Sequence, residues 1–581
     1  MTKTSFLPMF PDEMKARGWA ELDVLLVSGD PYVDHPAYGT AVIGRLLEAE
    51  GYKVGIIAQP RPDVPEDFTR LGRPRLCACV AAGNVDSMIM NYTANKRRRR
   101  PEEGKGFEGT RPDRASIVYT NRLRAVFKGL PVILGGVEAS MRRLAHYDYW
   151  DDAVRRSLLL DAKADMILYG MAERQVVEVV ARLARGEDIR GVHDVRGTVV
   201  AVKKEEIPSE TVELPSFEDV RSGAKAFNRA FALAYHESDP VRGKPVVQAH
   251  AGRYVLALPP ARPLSPTELD RVYELPYVRR PHPFYDRLGG VKGFETVRWS
   301  IVAVRGCPGE CHFCGLTMHQ GRIVQSRSHA SILREAGAMA RHPDFRGTIT
   351  DVGGPTANLY AAECRQWDTA GACAKKGCLM PSKCRSLKVH YDRTLALYRA
   401  LRRIPGVKHV FVASGLRYDL FLDPASDEYF REVCAHHVGG QMKVAPEHTE
   451  NKVLSLMNKP PFERYEEFVK KFEKVNASLN SRRYLVNYFI SAHPGSRLED
   501  AFFFSKKLQG RGMRPEQVQD FLPLPMTVAA CLYHTGAHPF TGERVFVPRG
   551  ETERAMQRAL IQPQNPRSQG LIRRALRVLG K

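Results

Sequence analysis

Three cysteines in the segment RGCPGECHFCGLTMHQGR have the spacing that points most directly to chemistry: Cys307, Cys311 and Cys314. They follow one another as C-x3-C-x2-C, so one short loop carries three thiolates. A cubane iron–sulfur cluster has four irons, and ordinary electron carriers bind all four with cysteine. Three thiolates without a fourth close by would leave one iron open to bind another molecule.

This segment resembles the cluster-binding loop of radical S-adenosylmethionine (SAM) enzymes, including the aromatic Phe313 just before the last cysteine. The resemblance implies a [4Fe–4S] cluster whose open iron chelates the amino and carboxylate groups of SAM. An electron from the cluster would then cleave SAM to methionine and a 5′-deoxyadenosyl radical. The alternative is a zinc knuckle or a structural cluster, although structural zinc sites usually take four protein ligands in two paired groups.

A second group of cysteines lies in the polar segment ECRQWDTAGACAKKGCLMPSKCR and consists of Cys364, Cys373, Cys378 and Cys384. Four thiols in such a short insertion have no disulfide rationale in a reducing cytosol. A closed four-thiolate site is the natural explanation, and it could hold either a second iron–sulfur cluster or zinc. The cysteines in apolar runs are interpreted as core residues: Cys77, Cys79, Cys434 and Cys531.

Residues 1–190 are predicted to form a doubly wound α/β domain with a parallel sheet, because short apolar strands alternate with helical patterns. The predicted strands lie at 22–30, 53–60, 75–83, 131–140 and 164–174. Ligands of such sheets bind beyond the carboxyl ends of the strands. Within this domain, the segment NKRRRRPEEGKGFEGTRPDR is predicted to be a mobile polar loop.

The first domain resembles the cobalamin-binding-like domain that precedes the catalytic barrel in many radical SAM enzymes. The usual lower-ligand pattern D-x-H-x-x-G is absent, because Gly39 stands four places after His35. His35 is therefore not assigned as a cobalt ligand, and cobalamin binding stays open. Residues 191–290 are interpreted as a connecting region.

Residues 291–545 are predicted to form a second α/β domain, the partial (β/α)6 barrel of radical SAM enzymes. Its six predicted strand segments are 294–304, 347–360, 408–421, 439–448, 482–496 and 518–536. The first strand leads directly into the three-cysteine loop, and barrel active sites lie at the carboxyl ends of the strands. The cysteine-rich insertion spans 361–386, and residues 546–581 form a basic C-terminal tail.

The resemblance to radical SAM enzymes also implies residues that bind SAM. Gly353 and Gly354 end the second strand, where a glycine pair lets the backbone approach the amino group of SAM. Pro355 stands where the family usually has glutamate, which leaves that contact to the backbone, Thr356 or Asn358. Further candidates stand near the ends of later strands or at the barrel rim, and no catalytic residue is assigned: Ser414, Arg417, Glu447, His448, His493, His319 and Gln320.

The chain has 581 residues, a net charge of +22 and a pI near 9.5. Such a charge favours polyanionic partners such as nucleic acid, although arginine-rich composition alone could produce it. No stretch reaches the roughly 18 uncharged apolar residues that a membrane span needs, and the amino terminus does not resemble a secretory signal. We therefore expect a cytoplasmic protein without a membrane partner.

At the level of the whole chain, several segments resemble the YgiQ family of bacterial radical SAM proteins. They include GDPYVDHPAYG, DVGGPTANLY, VAPEHTE and VQDFLPLPMT, and they span about residues 20–565. The resemblance implies a radical SAM enzyme that needs a reductant such as flavodoxin or ferredoxin and acts on an unknown substrate, either nucleic acid or a small metabolite. The alternative is a non-catalytic nucleic-acid-binding metalloprotein in which both cysteine groups are structural.

Overall fold

The structure is a computed structural model that describes residues 5–100 and 109–581. Two compact units are present: residues up to Arg298 together with Met318–Gln320, and Trp299–Thr317 together with Gly321–Lys581. Residues 101–108, the centre of the predicted polar loop, lie outside the described residues. Among the described residues, no helix is both long and apolar enough to span a membrane.

The first unit contains short strands and helices in alternation. Its strands are β1 (Val24–Ser28), β2 (Val33–Asp34), β3 (Val54–Ala58), β4 (Cys77–Ala81), β5 (Val132–Gly135), β6 (His146–Asp148), β7 (Ala153–Arg155), β8 (Met166–Leu168), β9 (Thr198–Val202), β10 (Val212–Leu214), β11 (Val246–His250), β12 (Arg253–Ala257) and β13 (Arg280–Pro281).

The helices of this unit are α1 (Pro11–Ala16), α2 (Gly39–Ala49), α3 (Pro65–Thr69), α4 (Ser87–Asn91), α5 (Ala115–Val126), α6 (Gly136–Met141), α7 (Leu158–Ala162), α8 (Glu173–Ala184), α9 (Phe217–Ser222), α10 (Ala224–Glu237), α11 (Pro266–Tyr273) and α12 (Phe294–Val297). Short 3₁₀ turns occupy Ile189–Gly191, Lys204–Glu206 and Pro283–Leu288.

Nine strands of the first unit form one sheet in the order β10-β11-β12-β9-β8-β5-β4-β1-β3. The five strands β3, β1, β4, β5 and β8 pair in parallel, and β9 and β12 join the sheet antiparallel. Strand β1 is buried along its whole length, as expected for a strand covered by helices on both faces. The chain passes from β1 to β3 on one side and then crosses to β4 on the other side of β1, which makes the crevice between β1 and β4 the switch point of the sheet.

Residues 191–290, interpreted from the sequence as a connecting region, contribute the four strands β9 to β12 to this same sheet. Their pairing is antiparallel except between β10 and β11. The sequence alone does not reveal this extension, because an apolar run such as TVVAV in β9 indicates a strand without showing which sheet it joins.

The second unit has strands β14 (Ser300–Val302), β15 (Val304–Arg305), β16 (Gln325–Ser326), β17 (Thr348–Ile349), β18 (Asp351–Gly353), β19 (His409–Val410), β20 (Gln441–Glu447), β21 (Tyr484–Ser491) and β22 (Gln517–Asp520). Its helices are α13 (Leu316–Gln320, whose last three residues group with the first unit), α14 (His329–Ala340), α15 (Gln366–Thr369), α16 (Tyr391–Arg402), α17 (Asp427–Glu432), α18 (Asn451–Leu456), α19 (Phe462–Ser478), α20 (Leu498–Gly510), α21 (Val528–Thr535), α22 (Glu551–Ile561) and α23 (Gln569–Val578).

Shorter helical turns of the second unit are Ala357–Leu359, Tyr418–Leu422, Pro424–Ser426 and Pro566–Ser568, with a π-helical turn at Val433–His437.

The strands of the second unit are arranged as successive parallel pairs. The pairs are β14 with β18, β17 with β19, β20 with β21 and β21 with β22, and a parallel bridge joins Leu416 to Val444. Helices follow the strands, as α19 does between β20 and β21, with an apolar stripe of aromatic residues buried at helical spacing. The predicted fold class, a doubly wound domain followed by a partial (β/α)6 barrel, is confirmed.

The predicted last strand of the barrel takes a different form in the structure. The predicted last strand, 518–536, consists of the four-residue strand β22 followed by helix α21, because Pro523 and Pro525 interrupt the extended segment. The basic tail forms helices α22 and α23, whose residues Met556, Leu560 and Ala575 are buried in a cluster with residues of α20.

Candidate active site

The three-cysteine loop lies between β15 and β16, which pair antiparallel and close the loop at its base. Cys307 N donates a hydrogen bond to Gly321 O (3.1 Å), and Cys314 N donates one to Cys311 O (2.9 Å). Gly306 has φ +77°, and a Cβ at this position would collide with the backbone carbonyl of Ile323. The strand pair and the tight turn thus hold the three cysteines in one closed loop.

Two residues between the cysteines attach this loop to the rest of the barrel. His312 N donates to Met457 O (3.0 Å), His312 Nδ1 lies 2.9 Å from Leu456 O, and Ala529 N donates to His312 O (2.9 Å). The ring of Phe313 packs edge-on against His493, with centroids 6.3 Å apart. The loop is therefore tied to the ends of α18 and the start of α21.

The three cysteines of this loop are half-buried, and two cations lie near Cys311. Burial raises the pKa of Cys314 to about 12. Burial also raises the pKa of Cys311, whereas the nearby cations of Lys459 and Arg417 act to lower it. A buried thiol with cations beside it is suited to bind metal, because metal and cations both stabilise the thiolate.

Among the described residues, no set of three or more Cys, His, Asp or Glu side chains is arranged around a single ion position. A cubane cluster places each thiolate on a different iron, so its ligands do not converge on one point. The donor set of three thiols with two cations fits a cluster of this type.

Arg417 lies beneath the cysteine loop and is paired with Asp419 inside the protein. Its Nε and Nη2 donate to the two carboxylate oxygens of Asp419 at 3.1 and 2.9 Å. Its Nη1 lies next to Gly309, where a Cβ would come within 2.7 Å of this nitrogen and 3.3 Å of Cys307 Sγ. Although burial opposes the charge, Asp419 and the cysteine thiols raise the pKa of Arg417 above its usual value.

The amide of Asn358 holds the backbone of Arg417. Asn358 Nδ2 donates to Arg417 O (2.9 Å), and Arg417 N donates to Asn358 Oδ1 (3.1 Å). Asn358 is one of the two side chains suggested for contact with the SAM amino group, and its amide is already hydrogen-bonded to the backbone of Arg417. The other, Thr356, places its Oγ1 3.5 Å from Cys307 Sγ.

The glycine pair at the end of β18 is enclosed by neighbouring residues. A Cβ on Gly353 would collide with the Ser414 side chain, and one on Gly354 would collide with the carbonyl of Val304. The hydroxyl of Ser414 donates to Asp351. Gly353 therefore packs against Ser414, and Gly354 against Val304, at the carboxyl ends of the barrel strands.

Glu447 ends strand β20 in a left-handed backbone conformation, φ +68°, after a shift in strand register. Burial raises the pKa of this carboxyl to about 7, and Lys459, whose Nζ is 3.8 Å from Glu447 Oε1, partly opposes the shift. Both side chains influence the Cys311 thiol electrostatically. A buried carboxyl and a buried lysine thus lie near the three-cysteine loop.

The other candidates from the sequence lie elsewhere. His448 is completely buried, accepts a hydrogen bond from Glu450 N (3.0 Å) and packs on Phe504, so it is an interior residue. His319 and Gln320 group with the first unit rather than with the barrel rim, and His319 Nδ1 lies 3.0 Å from Ser140 Oγ.

Sequence reasoning missed three residues of this site: Asp351, Asp419 and Lys459. Asp419 stands two places after Arg417, and the acid–base pair could have suggested it. Lys459 lies in an ordinary polar turn, MNKPP, and only the tertiary structure brings it to Glu447.

The four-cysteine insertion is closed at its base by an antiparallel bridge between Glu363 and Lys388. Within it, Cys384 N donates to Cys378 O (2.8 Å). Burial raises the pKa of Cys378 to about 12, with smaller contributions from Glu310 and from the other three cysteines of the group, Cys364, Cys373 and Cys384. The insertion therefore brings the four thiols into electrostatic range of one another.

The insertion is also anchored beside the three-cysteine loop. Ala361 N donates to Ser326 Oγ (2.9 Å), and Ser326 pairs with Val304 in the strand that leads into Cys307. The effect of Glu310, which immediately precedes Cys311, on Cys378 agrees with this position.

The first unit has an apolar cleft at the carboxyl ends of β1, β4, β5 and β8, with an empty volume of about 770 Å³ counting its open mouth. Glycines form much of its edge: Gly39, Gly83, Gly135, Gly136 and Gly170. The cleft lies at the switch point of the sheet, where doubly wound folds bind ligands. His35 is buried away from it, with Nε2 3.1 Å from Arg298 O, and is not among the lining residues.

Comparison with known proteins identifies the class. Residues 6–300 match the family described as radical SAM N-terminal, and residues 516–581 match a domain of unknown function, DUF3362. The protein is therefore a radical SAM protein with a cysteine loop at the mouth of its barrel.

Curated relatives then give the particular family. A UPF0313 protein of Methanocella arvoryzae is 48% identical over 98% of this chain and 94% of its own length. A UPF0313 protein of Clostridium perfringens is 46% identical over 100% of this chain and 88% of its own length. The chain belongs to the UPF0313 family, which is the YgiQ family predicted from the sequence.

The fold also has a solved counterpart. The apo structure of the cobalamin-dependent SAM radical enzyme OxsB aligns with a TM-score of 0.50, 10% identity, 93% coverage of this chain and 66% of that one. This likeness agrees with a doubly wound domain followed by a radical SAM barrel.

Proposed function

We propose that this radical SAM enzyme binds a [4Fe–4S] cluster on Cys307, Cys311 and Cys314 and uses it to cleave SAM reductively. One observation carries the proposal: three half-buried cysteines lie in one closed loop, with the cations of Arg417 and Lys459 near Cys311. The two cations would offset the negative charge of a thiolate-bound cluster. An external reductant such as flavodoxin or ferredoxin would supply the electron.

When bound, the cluster would supply one electron and an open iron, and SAM would supply a radical that abstracts hydrogen from an unactivated carbon. The role of the chain is to bind SAM and the substrate, to orient them and to exclude water. Arg417, fixed by Asp419 through two of its nitrogens, keeps Nη1 beside the loop and would bind the SAM carboxylate. Gly353 and Gly354, Ser414 and Glu447 would complete the SAM pocket.

The test is anaerobic reconstitution with iron and sulfide, reduction with dithionite and measurement of 5′-deoxyadenosine. We expect cleavage of SAM by the wild-type protein and its loss, together with the visible absorbance of the cluster, in Cys311→Ala. The matched control is Cys434→Ala, which alters a cysteine buried in the core. A fully iron-loaded wild-type protein that leaves SAM intact would contradict the proposal.

The four-cysteine insertion is proposed to hold a second metal centre on Cys364, Cys373, Cys378 and Cys384, either an iron–sulfur cluster or zinc. A cluster there could relay electrons or contact the substrate, since the insertion is anchored beside the three-cysteine loop. Zinc would only fold the segment. Iron, sulfide and zinc analysis after anaerobic purification separates the two, and zinc as the sole metal would favour the non-catalytic alternative.

The substrate is proposed to be nucleic acid, because the net charge of +22 favours a polyanion. A small metabolite is the second candidate, supported by the apolar cleft of the first unit. That cleft, with its glycine edge at the switch point, is also where cobalamin would fit if it binds; cobalt analysis of the purified protein tests this. We further propose a cytoplasmic location.

A further inference from the structure

A second large cavity lies in the barrel unit, at the amino ends of its strands. It is formed where β19, β20 and β21 begin, and its empty volume, counting its open mouth, is about 1090 Å³. The three-cysteine loop lies near Glu447, at the carboxyl end of β20. Since β20 has seven residues, the two ends are roughly 20 Å apart, so the cavity is separate from the candidate active site.

The lining of this cavity is strongly basic. Arg402, Lys408, Arg482 and Arg483 contribute four cationic side chains, and among the described residues that line it there is no aspartate or glutamate. Arg402 shares Glu432 with Arg399, outside the lining. In the part of the chain that the structure describes, neither Lys408 nor Arg482 forms an ion pair, so the lining keeps an excess of positive charge.

One of these cations is held in place by the backbone. Arg483 Nη2 donates to Ala435 O (2.8 Å), and its Nε donates to Val438 O (3.3 Å). Both carbonyls belong to the segment at the end of the π-helical turn Val433–His437. A fixed guanidinium loses little side-chain entropy when an anion binds.

The surroundings of His436 agree with an excess of positive charge at this cavity. Burial lowers the pKa of this imidazole, and the cations of Arg402, Arg483 and Arg399 lower it further, although Glu432 opposes them. A bound anion would reverse part of this effect.

Aromatic rings stand beside the cations. The rings of His409 and Phe411 are stacked, with centroids 5.6 Å apart and planes 7° apart. Gly439 faces Phe411, where a Cβ would come within 3.4 Å of the ring. The exposed ring of His409 offers a surface on which a base can stack, which is how single strands are bound without sequence preference.

We propose that this cavity binds the phosphate backbone of a single-stranded nucleic acid. Its four cations come from two chain segments, 402–408 and 482–483, on the wall of an open cavity, an arrangement suited to several successive phosphates and an adjacent base. One small phosphate would leave most of these charges unpaired. The proposal concerns binding alone and does not depend on the radical reaction.

The test uses the full-length protein and a fluorescent single-stranded oligoribonucleotide of about 15 nucleotides, with affinity measured by anisotropy over a range of salt concentrations. The variant is Lys408→Glu with Arg482→Glu. The control is Arg573→Glu with Arg574→Glu, which makes the same charge change on two exposed arginines of α23. Inorganic phosphate is titrated as the competing small anion.

We expect the cavity variant to bind at least about tenfold more weakly, with a salt slope smaller by about 1.4, since each single-strand phosphate contact contributes roughly 0.7. In the control variant, the logarithm of the RNA affinity should fall by less than half as much as in the cavity variant. In wild-type protein, RNA should raise the pKa of His436 observed by NMR. An equal loss in the control, an unchanged affinity in the cavity variant, or phosphate binding without RNA binding would each overturn the proposal.

Discussion

Ser414, which follows β19, is bound by Asp351, the first residue of β18. The hydroxyl of Ser414 donates to one carboxylate oxygen of Asp351, and the other oxygen accepts the backbone N–H groups of Ala413 (2.8 Å) and Ser414 (3.0 Å). The Ser414 side chain occupies the place that a Cβ on Gly353 would need. The glycine therefore has a packing reason in addition to the approach of SAM that the sequence suggested.

This relationship predicts that Gly353→Ala destabilises the barrel and that Ser414→Gly partly restores it. Overpacking of this kind costs about 1–3 kcal/mol in free energy of unfolding. In a double-mutant cycle followed by urea unfolding, the pair should lose less than the sum of the single variants. Gly354→Ala serves as the control, because its Cβ would meet the backbone carbonyl of Val304, which Ser414→Gly does not move. Strict additivity of Gly353→Ala and Ser414→Gly would contradict this account.

The ion pair between Arg417 and Asp419 predicts a large loss of stability in Asp419→Asn. Both side chains are largely buried, and removing one partner of a buried pair costs about 3–5 kcal/mol, since the other charge is left uncompensated. Asp427→Asn is the matched control, because Asp427 pairs with Lys471 at the surface, where the loss is under about 1 kcal/mol. Urea unfolding of both variants measures the difference, and similar midpoints would show that the buried pair contributes little.

The four-cysteine insertion predicts a metal that is lost independently of the first site. In Cys373→Ala with Cys384→Ala, the metal content should fall by about four irons for a cluster or about one zinc for a zinc site. The iron on Cys307, Cys311 and Cys314 should remain. Cys434→Ala with Cys531→Ala removes two core cysteines instead and should leave the metal content unchanged. Equal metal content in wild type and the insertion variant would reject the second site.

Buried histidines of the barrel predict a loss of stability in acid. Burial lowers the pKa of His448 and of His493 to about 3, whereas an unfolded histidine has a pKa of about 6.5. As the pH falls below about 6.5, the unfolded chain gains protons and the folded chain does not until about pH 3. The stability that these residues contribute is thus present above about 6.5 and is lost toward pH 3, at about 1.4 kcal/mol per pH unit for each group.

A substitution isolates one of these groups. His493→Gln removes an imidazole whose Nδ1 meets Pro494 O and whose Nε2 has no hydrogen-bond partner among the described residues. Between pH 7 and pH 5 this variant should lose about 2 kcal/mol less free energy of unfolding than wild type. The difference arises over the roughly 1.5 pH units between the unfolded pKa and pH 5. The same pH dependence in both proteins would mean that His493 is protonated in the folded state at pH 5.

Much of the architecture could be predicted from the chain, since long apolar strands and helical periodicity are local signals. The prediction was less successful for the four strands β9 to β12, because the sequence of a strand does not show which sheet it joins. His448 shows the same limit at one residue. Because His448 follows Glu447, its side chain was predicted to lie at the barrel mouth. The side chains of successive residues after a strand can, however, point either to the interior or to the mouth.

The sequence by itself determined the family, the two α/β domains and the two cysteine groups, because spacing along the chain is enough to bring three thiols into one loop. Only the tertiary structure decided what surrounds that loop. The contact of Lys459 with Glu447 and the Ser414–Asp351 pair depend on strand register and on contacts between distant segments. Such contacts are set by the packing of the whole barrel, and no local pattern of residues encodes them.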